Sequence, residues 1–413
     1  MKYSDLCHKN SLLAVKSVKQ SYQPSQRVKA MLEIFRCMVN DSIKIGLETD
    51  SSSMKRLSTL SYRQLKKYRC YSAYRLTAIS KAAGILASRK KSLRRGRPTK
   101  TPFMSNAVLV SCYGFKIEGK KLRVPLGDRD FEHIPLNPHT VRILSDPSLK
   151  VRSFTLTESI LSLCISKEVA VVEVTGTIGI DRNLRNLTAG NLDRVTQYDL
   201  SDTLKIVDAT RRVIASFKRD DDRIRERLAS KYGSRRHNRT QHILHKATKR
   251  IVADALERKE AIVLENIEGI RGLYRRSNGQ GPRRRNRMNG WSYGEAQRQL
   301  EYKATWAGLP VIHLSKSETR GSSVTCPQCG ERLQEDRRLK RKLWCQNCRS
   351  IMDRDVVAAI NLSRRGRLRF DRSLAHRGLQ GGTIEAVKGN PTNAVILRVD
   401  VPKSSPSLNQ PKT

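Results

Sequence analysis

Apolar residues recur at helical spacing in the first quarter of the chain, between residues 26 and 95. Two stripes follow this spacing: Val28, Met31, Leu32 and Phe35, and then Leu65, Tyr68, Leu76 and Ile79. Such stripes are typical of helices that bury one face. The polar stretches 40–42 and 50–53 predict breaks between helices. Residues 26–99 are therefore predicted to form a helical domain.

Short β-rich runs replace this pattern between residues 104 and 174. They alternate with turns and cover 107–112, 114–124, 151–156 and 169–174. Runs of this length predict a small antiparallel sheet or barrel. We assign residues 1–25 to the same β domain as 100–174, with the helical domain inserted between the two segments.

Strands and helices alternate from residue 175 onward. Strands are predicted at 176–181, 187–189, 198–200, 261–267 and 311–314, and helices at 204–229, 243–255 and 292–307. Gly233 predicts the break between the first two helices, and Gly308 with Pro310 ends the third. The alternation predicts an α/β sheet with some parallel strands over residues 175–372. Residues 373–413 are rich in Gly, Pro and Ser, which predicts a loose tail.

The charge balance narrows the choice of partner. Lys and Arg total 81 against 38 Asp and Glu, a formal net charge of +43. Such a charge repels itself unless a polyanion neutralises it, and nucleic acid is the usual polyanion. An anionic membrane surface is the alternative, but we find no apolar run long enough to span a bilayer and no signal peptide. We therefore expect a cytoplasmic, nucleoid-associated protein.

Two segments concentrate this charge. Residues 81–100 hold eight basic residues and no acid, and residues 271–287 hold seven Arg and no acid. We expect the first segment to contact phosphates, with a solvated helix end as the alternative. For the second segment, a disordered surface loop is an equally simple explanation. Tyr274 and Trp291 lie in or just after the second segment, where aromatic rings stack on nucleobases in many proteins.

Four of the nine cysteines form a metal-ligand pattern. Two Cys-x-x-Cys turns, Cys326 with Cys329 and Cys345 with Cys348, are separated by fifteen residues. Four thiolates complete a tetrahedron around Zn²⁺ and leave no open position, so the zinc is expected to be structural. The alternative is four buried cysteines at chance spacing. The other five, Cys7, Cys37, Cys70, Cys112 and Cys164, are interpreted as small buried apolar residues in a reducing compartment.

Three acids stand where apolar elements end or begin. Asp181 ends the strand Gly-Ile-Asp, Glu265 lies in Val-Leu-Glu-Asn, and Asp355 opens the helix Asp-Val-Val-Ala-Ala-Ile-Asn. A carboxylate in such a setting is costly to bury unpaired. Three that converge would hold two Mg²⁺ or Mn²⁺ ions able to activate water against a phosphodiester. For each acid alone, a surface or salt-bridged carboxylate is the simpler explanation.

Asp353 competes with Asp355 for the third role. The two lie two residues apart, so on a helix they point about 200° apart. Asp355, Ala358, Ala359 and Leu362 share one face, whose alanines allow close approach to a sheet. We predict that Asp355 faces the site and that Asp353 caps the helix N-terminus.

These motifs together resemble the TnpB family, the OrfB-type proteins of bacterial and archaeal insertion sequences, related to compact type V CRISPR nucleases. The resemblance rests on Gly-Ile-Asp, on Val-Leu-Glu-Asn and on a zinc ribbon that leads directly into Asp-Arg-Asp-x-x-Ala-Ala-x-Asn. The segments 285–291 and 299–303 also match. The strong match covers residues 175–365, and the N-terminal half matches in layout only.

The resemblance implies an α+β multidomain architecture. A ribonuclease H-like, RuvC-type nuclease domain (175–372) with an inserted zinc ribbon (320–350) follows a β-barrel-like wedge domain (1–25 and 100–174) that carries a helical recognition domain (26–99). It also implies an RNA-guided, Mg²⁺-dependent DNA endonuclease of a transposable element, with a guide RNA and target DNA as partners. The catalytic acids fall on Asp181, Glu265 and Asp355.

Two alternatives to this function stay open. One is a guide-directed or nonspecific nucleic-acid-binding protein that does not cleave. The other, a strand-joining transposase, is disfavoured because no Tyr or Ser nucleophile constellation stands out.

Two positions depart from the family pattern. Asn183 replaces the usual Gly two residues after the first acid, and we expect it to tolerate left-handed backbone there. Val357 replaces the usual Asn two residues after the third acid. If that Asn supports the metal ligands, its loss predicts weaker metal geometry and reduced cleavage.

Overall fold

A computed structural model describes residues 11–217, 222–267, 270, 274, 279, 281–335 and 341–378. The chain forms two compact units, one of which contains Leu13–Glu168 while the other contains the described residues from Val169 onward. The predicted tail lies outside the described residues from position 379 onward. No helix in the described ranges is long and apolar enough to cross a membrane.

Three helices dominate the first unit: α1 (Gln26–Glu48), α2 (Met54–Ser61) and α3 (Ala73–Arg94). The predicted break at 40–42 is wrong. Ser42 is buried inside α1, and its hydroxyl donates to the Met38 carbonyl at 2.8 Å, so this polar residue needs no turn. Leu76 is 40% exposed and not part of the buried stripe, which instead runs through Tyr74, Ala78, Ile79 and Ala82.

Two sheets complete the first unit. They are built from β1 (Ser11–Ser21), β2 (Leu109–Ser111), β3 (Lys116–Glu118), β4 (Lys121–Gly127), β5 (Asp130–Pro135), β6 (Lys150–Leu156) and β7 (Ile160–Ala170), with α4 (Pro138–Leu144) between β5 and β6. The strand orders are β1-β7-β6-β2 and β3-β4-β5. The strand predicted at 169–174 is wrong. The strand β7 covers the preceding stretch, with the charged Lys167 and Glu168 near its end.

The second unit is an α/β structure. Its elements are β8 (Gly176–Arg182), β9 (Asn186–Gly190), β10 (Val195–Asp199), α5 (Ser201–Ser216), α6 (Asp222–Glu257), β11 (Glu260–Glu265), α7 (Pro282–Asn289), α8 (Tyr293–Trp306), β12 (Val311–Leu314), β13 (Gln334–Glu335), β14 (Lys342–Cys345), β15 (Ser350–Asp353) and α9 (Arg354–Gly378). The main sheet has the order β10-β9-β8-β11-β12. Parallel pairing of β8 with β11 and of β11 with β12 confirms the predicted mixed sheet.

The long helical segment breaks at a different place from the one predicted. The first helix ends at Ser216, and α6 runs continuously through Gly233. A Cβ placed on Gly233 would meet no atom within 4 Å, so this glycine does not mark a crowded turn. Isolated glycines weaken a helix by only about 1 kcal/mol, which the packing of Leu244, Ala247 and Ile251 readily offsets.

Helices pack on both faces of the main sheet. On one face, Ile178, Ile180, Ile262 and Leu264 contact apolar residues of α6 and α8. The opposite face, where Val263 and Ala261 lie, receives Leu362 of α9. Helix α9 approaches β8 so closely that a Cβ on Gly179 would stand 2.1 Å from the Ala359 carbonyl oxygen. Gly179 therefore fixes how near the helix comes to the sheet.

Candidate functional site

Strand alternation places two of the predicted acids on the face covered by α9. Side chains alternate between faces, so Asp181 shares a face with Gly179, and Glu265 shares one with Val263. Both of these neighbours contact α9. Because β8 and β11 pair in parallel up to Ile180 and Leu264, the two acids follow at the same carboxyl edge. The sheet brings Asp181 and Glu265 side by side.

The third acid comes from the helix. Asp355 lies in the first turn of α9 and is 4% exposed. Ala358 and Ala359, on the same helix face, are buried, as the spacing predicted. Asp181, Glu265 and Asp355 all line one cavity of about 620 Å³. The structure therefore brings the three predicted acids together.

Asp353 does not line this cavity. Its Oδ1 accepts the backbone N–H of Asp355 at 2.9 Å and that of Val356 at 3.3 Å. These contacts confirm the predicted helix cap.

The electrostatics of the cavity are those of a cation site. Burial, followed by the nearby carboxylates of Glu265 and Asp355, raises the pKa of Asp181 to about 7. Burial also raises the pKa of Glu265, against the opposing charge of Arg182. Crowded carboxylates that resist ionisation next to one another gain most from a bound divalent cation, and their oxygens are the hard ligands that Mg²⁺ and Mn²⁺ prefer. The residues present fit such ions.

Several contacts around the acids were not predicted from the sequence. The amide of Asn186 donates to Asp355 Oδ2 at 3.3 Å, and Arg341 forms an ion pair with the other oxygen of the same carboxylate. Basic side chains at the cavity wall include Arg284, Lys342 and Arg354. The cavity thus combines carboxylates with cationic groups, a mixture that suits a metal-bridged phosphodiester.

The two departures from the family pattern have structural explanations. Asn183 is not in left-handed backbone, contrary to our expectation, and its amide instead donates to Asp181 Oδ2 at 2.6 Å. The Val357 side chain is fully buried in a cluster with Cys326, Leu343 and Cys345, and Val357 itself does not line the cavity. Position 357 therefore contributes to the packing of the cysteine-rich segment.

The four predicted zinc ligands also converge. Their sulfur atoms lie within 4.8 Å of one another, with 3.5 Å between Cys329 and Cys345 and 3.8 Å between Cys326 and Cys348. Two thiolates bound to one Zn²⁺ at about 2.3 Å in a tetrahedron stand about 3.8 Å apart. The cluster has the donor set and the spacing for zinc.

The other cysteines are less uniform than predicted. Cys70 and Cys164 are buried, but Cys112 is exposed and Cys37 is half-buried. Cys7 lies outside the described residues. The interpretation of all five as buried apolar residues is therefore wrong for Cys112.

The second basic segment is described at Tyr274, Gly279 and 281–287, the last of which covers most of α7, and its other residues lie outside the described ranges. Tyr274 and Trp291 both line the acid cavity. The Trp291 ring lies 5.0 Å from that of Tyr293, centroid to centroid. In the first segment, residues 81–94 belong to α3.

Comparisons with known proteins find relatives by sequence and by fold. A family model described as the TNB domain of Cas12f1-like proteins matches residues 293–362. The TnpB-like protein MJ0751 of Methanocaldococcus jannaschii is 28% identical over 269 residues, which cover 60% of this chain and 91% of that protein. A Streptomyces pristinaespiralis protein, provisionally named an RNA-guided DNA endonuclease, is 26% identical over 204 residues, 48% of each chain.

Among solved structures, the Cas12f1 chain of a complex with sgRNA and target DNA has a TM-score of 0.56 and 15% identity, covering 82% of this chain and 81% of its own. The fold is therefore that of the compact Cas12f1-like class. The sequence relatives are a TnpB-like protein and a protein named for RNA-guided DNA cleavage. These findings confirm the resemblance to the TnpB family seen in the sequence.

Proposed function

We propose that this protein is an RNA-guided DNA endonuclease of a transposable element and that its cutting site is the acid cavity. The observation that carries the proposal is the meeting of Asp181, Glu265 and Asp355 from two strands and one helix in that cavity. Related proteins named for TnpB and for RNA-guided cleavage support it. The second unit would then be a RuvC-type, ribonuclease H-like domain over 175–372.

The three carboxylates would hold two Mg²⁺ or Mn²⁺ ions, whose chemistry would be to activate a water and to stabilise the leaving oxygen of a phosphodiester. The side-chain amide of Asn183 donates to the Asp181 carboxylate, and that of Asn186 donates to the Asp355 carboxylate, so both acids are held in place. Lys342 and Arg354, at the cavity wall, would orient the phosphate of the strand to be cut. Trp291 offers an aromatic face for a flanking base.

The proposed zinc plays a different part from the catalytic ions. Four cysteine sulfurs fill all positions of a tetrahedral Zn²⁺, so the ion binds no substrate. We propose that it folds the ribbon, residues 320–350. Val357 of α9 packs into the same cluster as Cys326 and Cys345. The ribbon would therefore hold the helix that carries Asp355.

A basic face of α6 supports the proposed binding of guide RNA. Residues 231–250 hold seven Lys and Arg and no acid. Arg235, Arg239, His242, Lys246 and Lys249 are exposed and recur every three or four residues, so they form one stripe. The buried side of α6 packs on the sheet face opposite the acids. A nucleic acid bound to this stripe would therefore lie away from the acids, as expected of a guide RNA that is bound and not cleaved.

The domain functions stay proposals that follow from the family. Residues 1–25 with 100–174 would act as the wedge and 26–99 as the recognition domain, which together read the shape of the guide and a short motif beside the target. We further propose that the protein works in a prokaryotic cytoplasm, near the nucleoid.

One experiment separates cleavage from binding alone. The protein is purified with the RNA that copurifies from its own locus, that RNA is sequenced, and DNA matching its guide segment is supplied with Mg²⁺. We expect cutting by the wild type, none by Asp181→Ala or Glu265→Ala, and equal RNA retention by all three. If the wild type retains RNA but never cuts matched DNA, the protein is a guide-directed binding protein instead.

A further inference from the structure

Arg182 is a buried charge directly beside the first acid. It is 1% exposed and, because strand side chains alternate, lies on the face of β8 opposite to Asp181. That face is the apolar one, packed by α8. A guanidinium in such surroundings costs several kcal/mol unless its donors are bonded. The structure therefore needs partners for this side chain.

The partners lie on β11 and α8. One terminal nitrogen of Arg182 donates to the backbone carbonyl of Glu265 at 2.5 Å, and the other donates to Gln297 Oε1 at 2.6 Å. The backbone pairing of β8 with β11 ends at Ile180 and Leu264. Arg182 thus ties the two strands together just past their last paired residues, where both acids are carried.

A buried carboxylate completes the network. The Gln297 amide donates to Glu301 Oε1 at 2.7 Å, and Glu301 is 3% exposed. Nε2 of His313, on β12, lies 3.3 Å from the same oxygen. Burial and the charge of Arg182 lower the pKa of His313 to about 4, so this ring is neutral near pH 7. Gln297 therefore links the buried Arg182 to a buried acid across α8.

We propose that Arg182 is a positioning residue: by holding the Glu265 carbonyl from the opposite face of the sheet, it sets the separation of the Asp181 and Glu265 carboxylates at which both bind one pair of divalent ions. The proposal rests on the proposed function, which makes these two acids metal ligands. Arg182 itself touches neither substrate nor metal. Its planar fork suits the task, since a lysine at this position presents no two donors in a fixed geometry.

A purely structural role for Arg182 makes a different prediction. Replacing a buried ion pair with apolar residues of similar size is often neutral or stabilising. Arg182 and Glu301 are buried opposite charges linked through Gln297, so the double variant Arg182→Met/Glu301→Leu, which removes both charges, should fold. In this variant the Glu265 carbonyl loses its donor. If Arg182 only stabilised the fold, this variant would keep the metal site intact. If Arg182 positions Glu265, the fold survives and metal affinity does not.

A matched control lies at the other end of the same strand. Glu260 begins β11, is 7% exposed, and pairs with Arg194 at 2.7 Å. The variant Arg194→Met/Glu260→Leu also removes one Arg and one buried Glu, but at the end of β11 opposite to Glu265. Its metal affinity is expected to match that of the wild type.

The test measures Mn²⁺ binding by electron paramagnetic resonance on the guide-free full-length protein, with thermal unfolding recorded in parallel. Asp181→Ala identifies the site under study. We expect Arg182→Met/Glu301→Leu to bind Mn²⁺ about 10–100-fold more weakly than the wild type, as is typical when a group that orients a metal ligand is lost. The Mn²⁺ affinity of Arg182→Lys, which keeps the charge, is expected to lie between those of the wild type and the double variant. This single variant replaces the double variant in the test if the double variant does not fold.

Wild-type Mn²⁺ affinity in either folded Arg182 variant would overturn the proposal. So would equal weakening in the Arg194 control, because the effect would then be general. The proposed function fails separately: in that case the wild type binds Mn²⁺ through Asp181 but does not cut matched DNA. Mn²⁺ binding that does not depend on Asp181 would remove the premise, and with it the role of Arg182.

Discussion

Asp353 caps the backbone N–H of Asp355, so one acid holds the other in place. Asp355 faces the cavity, whereas Asp353 is absent from its lining. Asp355→Asn is therefore expected to remove nearly all cleavage. Asp353→Ala should cost about 0.5–2 kcal/mol of stability and leave most cleavage. Cleavage assays at a temperature where both variants stay folded decide between the roles, and the reverse result would exchange the two assignments.

A second prediction concerns the stability of the metal-free protein. The pKa of Asp181 rises from 3.8 to about 7 in the folded chain, so the folded state holds this proton more tightly than the unfolded state. Its contribution to stability is present below about pH 4 and is lost as the pH rises through 7. The Asp181→Asn side chain does not titrate, so the variant does not lose this stability as the pH rises.

At pH 8 without added Mg²⁺, we expect Asp181→Asn to be about 1–3 kcal/mol more stable than the wild type. Three pKa units correspond to about 4 kcal/mol, and water in the cavity reduces that figure. Denaturant unfolding of both proteins at pH 5 and pH 8 measures the difference, which should shrink at pH 5. Added Mg²⁺ should stabilise only the wild type. A variant that is less stable than the wild type at pH 8 contradicts the argument.

The cysteine cluster predicts one tightly bound zinc per chain. Cys345 is fully buried, with its sulfur 3.5 Å from that of Cys329, so Cys345→Ser should lose the ion and unfold the ribbon. Elemental analysis by mass spectrometry measures the zinc. The exposed Cys112, which is outside the cluster, provides the control: Cys112→Ser should keep the metal. Well-folded wild-type protein without zinc would rule out the site.

The basic stripe on α6 predicts a salt-dependent affinity for RNA. With roughly six to ten phosphate contacts, the affinity of the whole protein should fall about 10³–10⁵-fold between 50 and 200 mM salt. The triple variant Arg235→Gln/Arg239→Gln/Lys246→Gln should reduce the slope of log affinity against log salt by about 3. Lys205, exposed and paired with Asp202, serves as control, and Lys205→Gln should leave the slope unchanged. An unaltered slope in the triple variant would show that RNA binds elsewhere.

Local periodicity predicted the elements that carry the site. Alternation and apolar runs located β8, β11 and β12, and the i, i+4 spacing of Ile243, Ala247, Ile251 and Ala255 located the buried side of α6. Helix breaks were harder to predict. Ser42 and Gly233 carry turn propensity, but the first bonds to its own helix and the second meets open space. At both Ser42 and Gly233 the helix continues because the packing of its neighbours outweighs the local turn propensity.

Within the site, the acids were predictable and their supports were not. Each acid interrupts an apolar pattern, which is visible in a single sequence. Arg182 reaches Glu265 across 83 positions and Asn186 reaches Asp355 across 169, so no local spacing reveals either pair. In the sequence, Gly179 is only a glycine within a strand, and nothing near it indicates that a helix packs against it. Its role depends on the distance to a helix that begins 175 residues later.

Helix α9 serves two sites within its first turn: Val357 fits among the ribbon cysteines, while Asp355 faces the acid cavity. Each residue added to or removed from a helix turns every following side chain by about 100°. A change in length between Asp355 and Val357 would therefore misalign one site or the other. Insertions and deletions among relatives should therefore be absent from this turn.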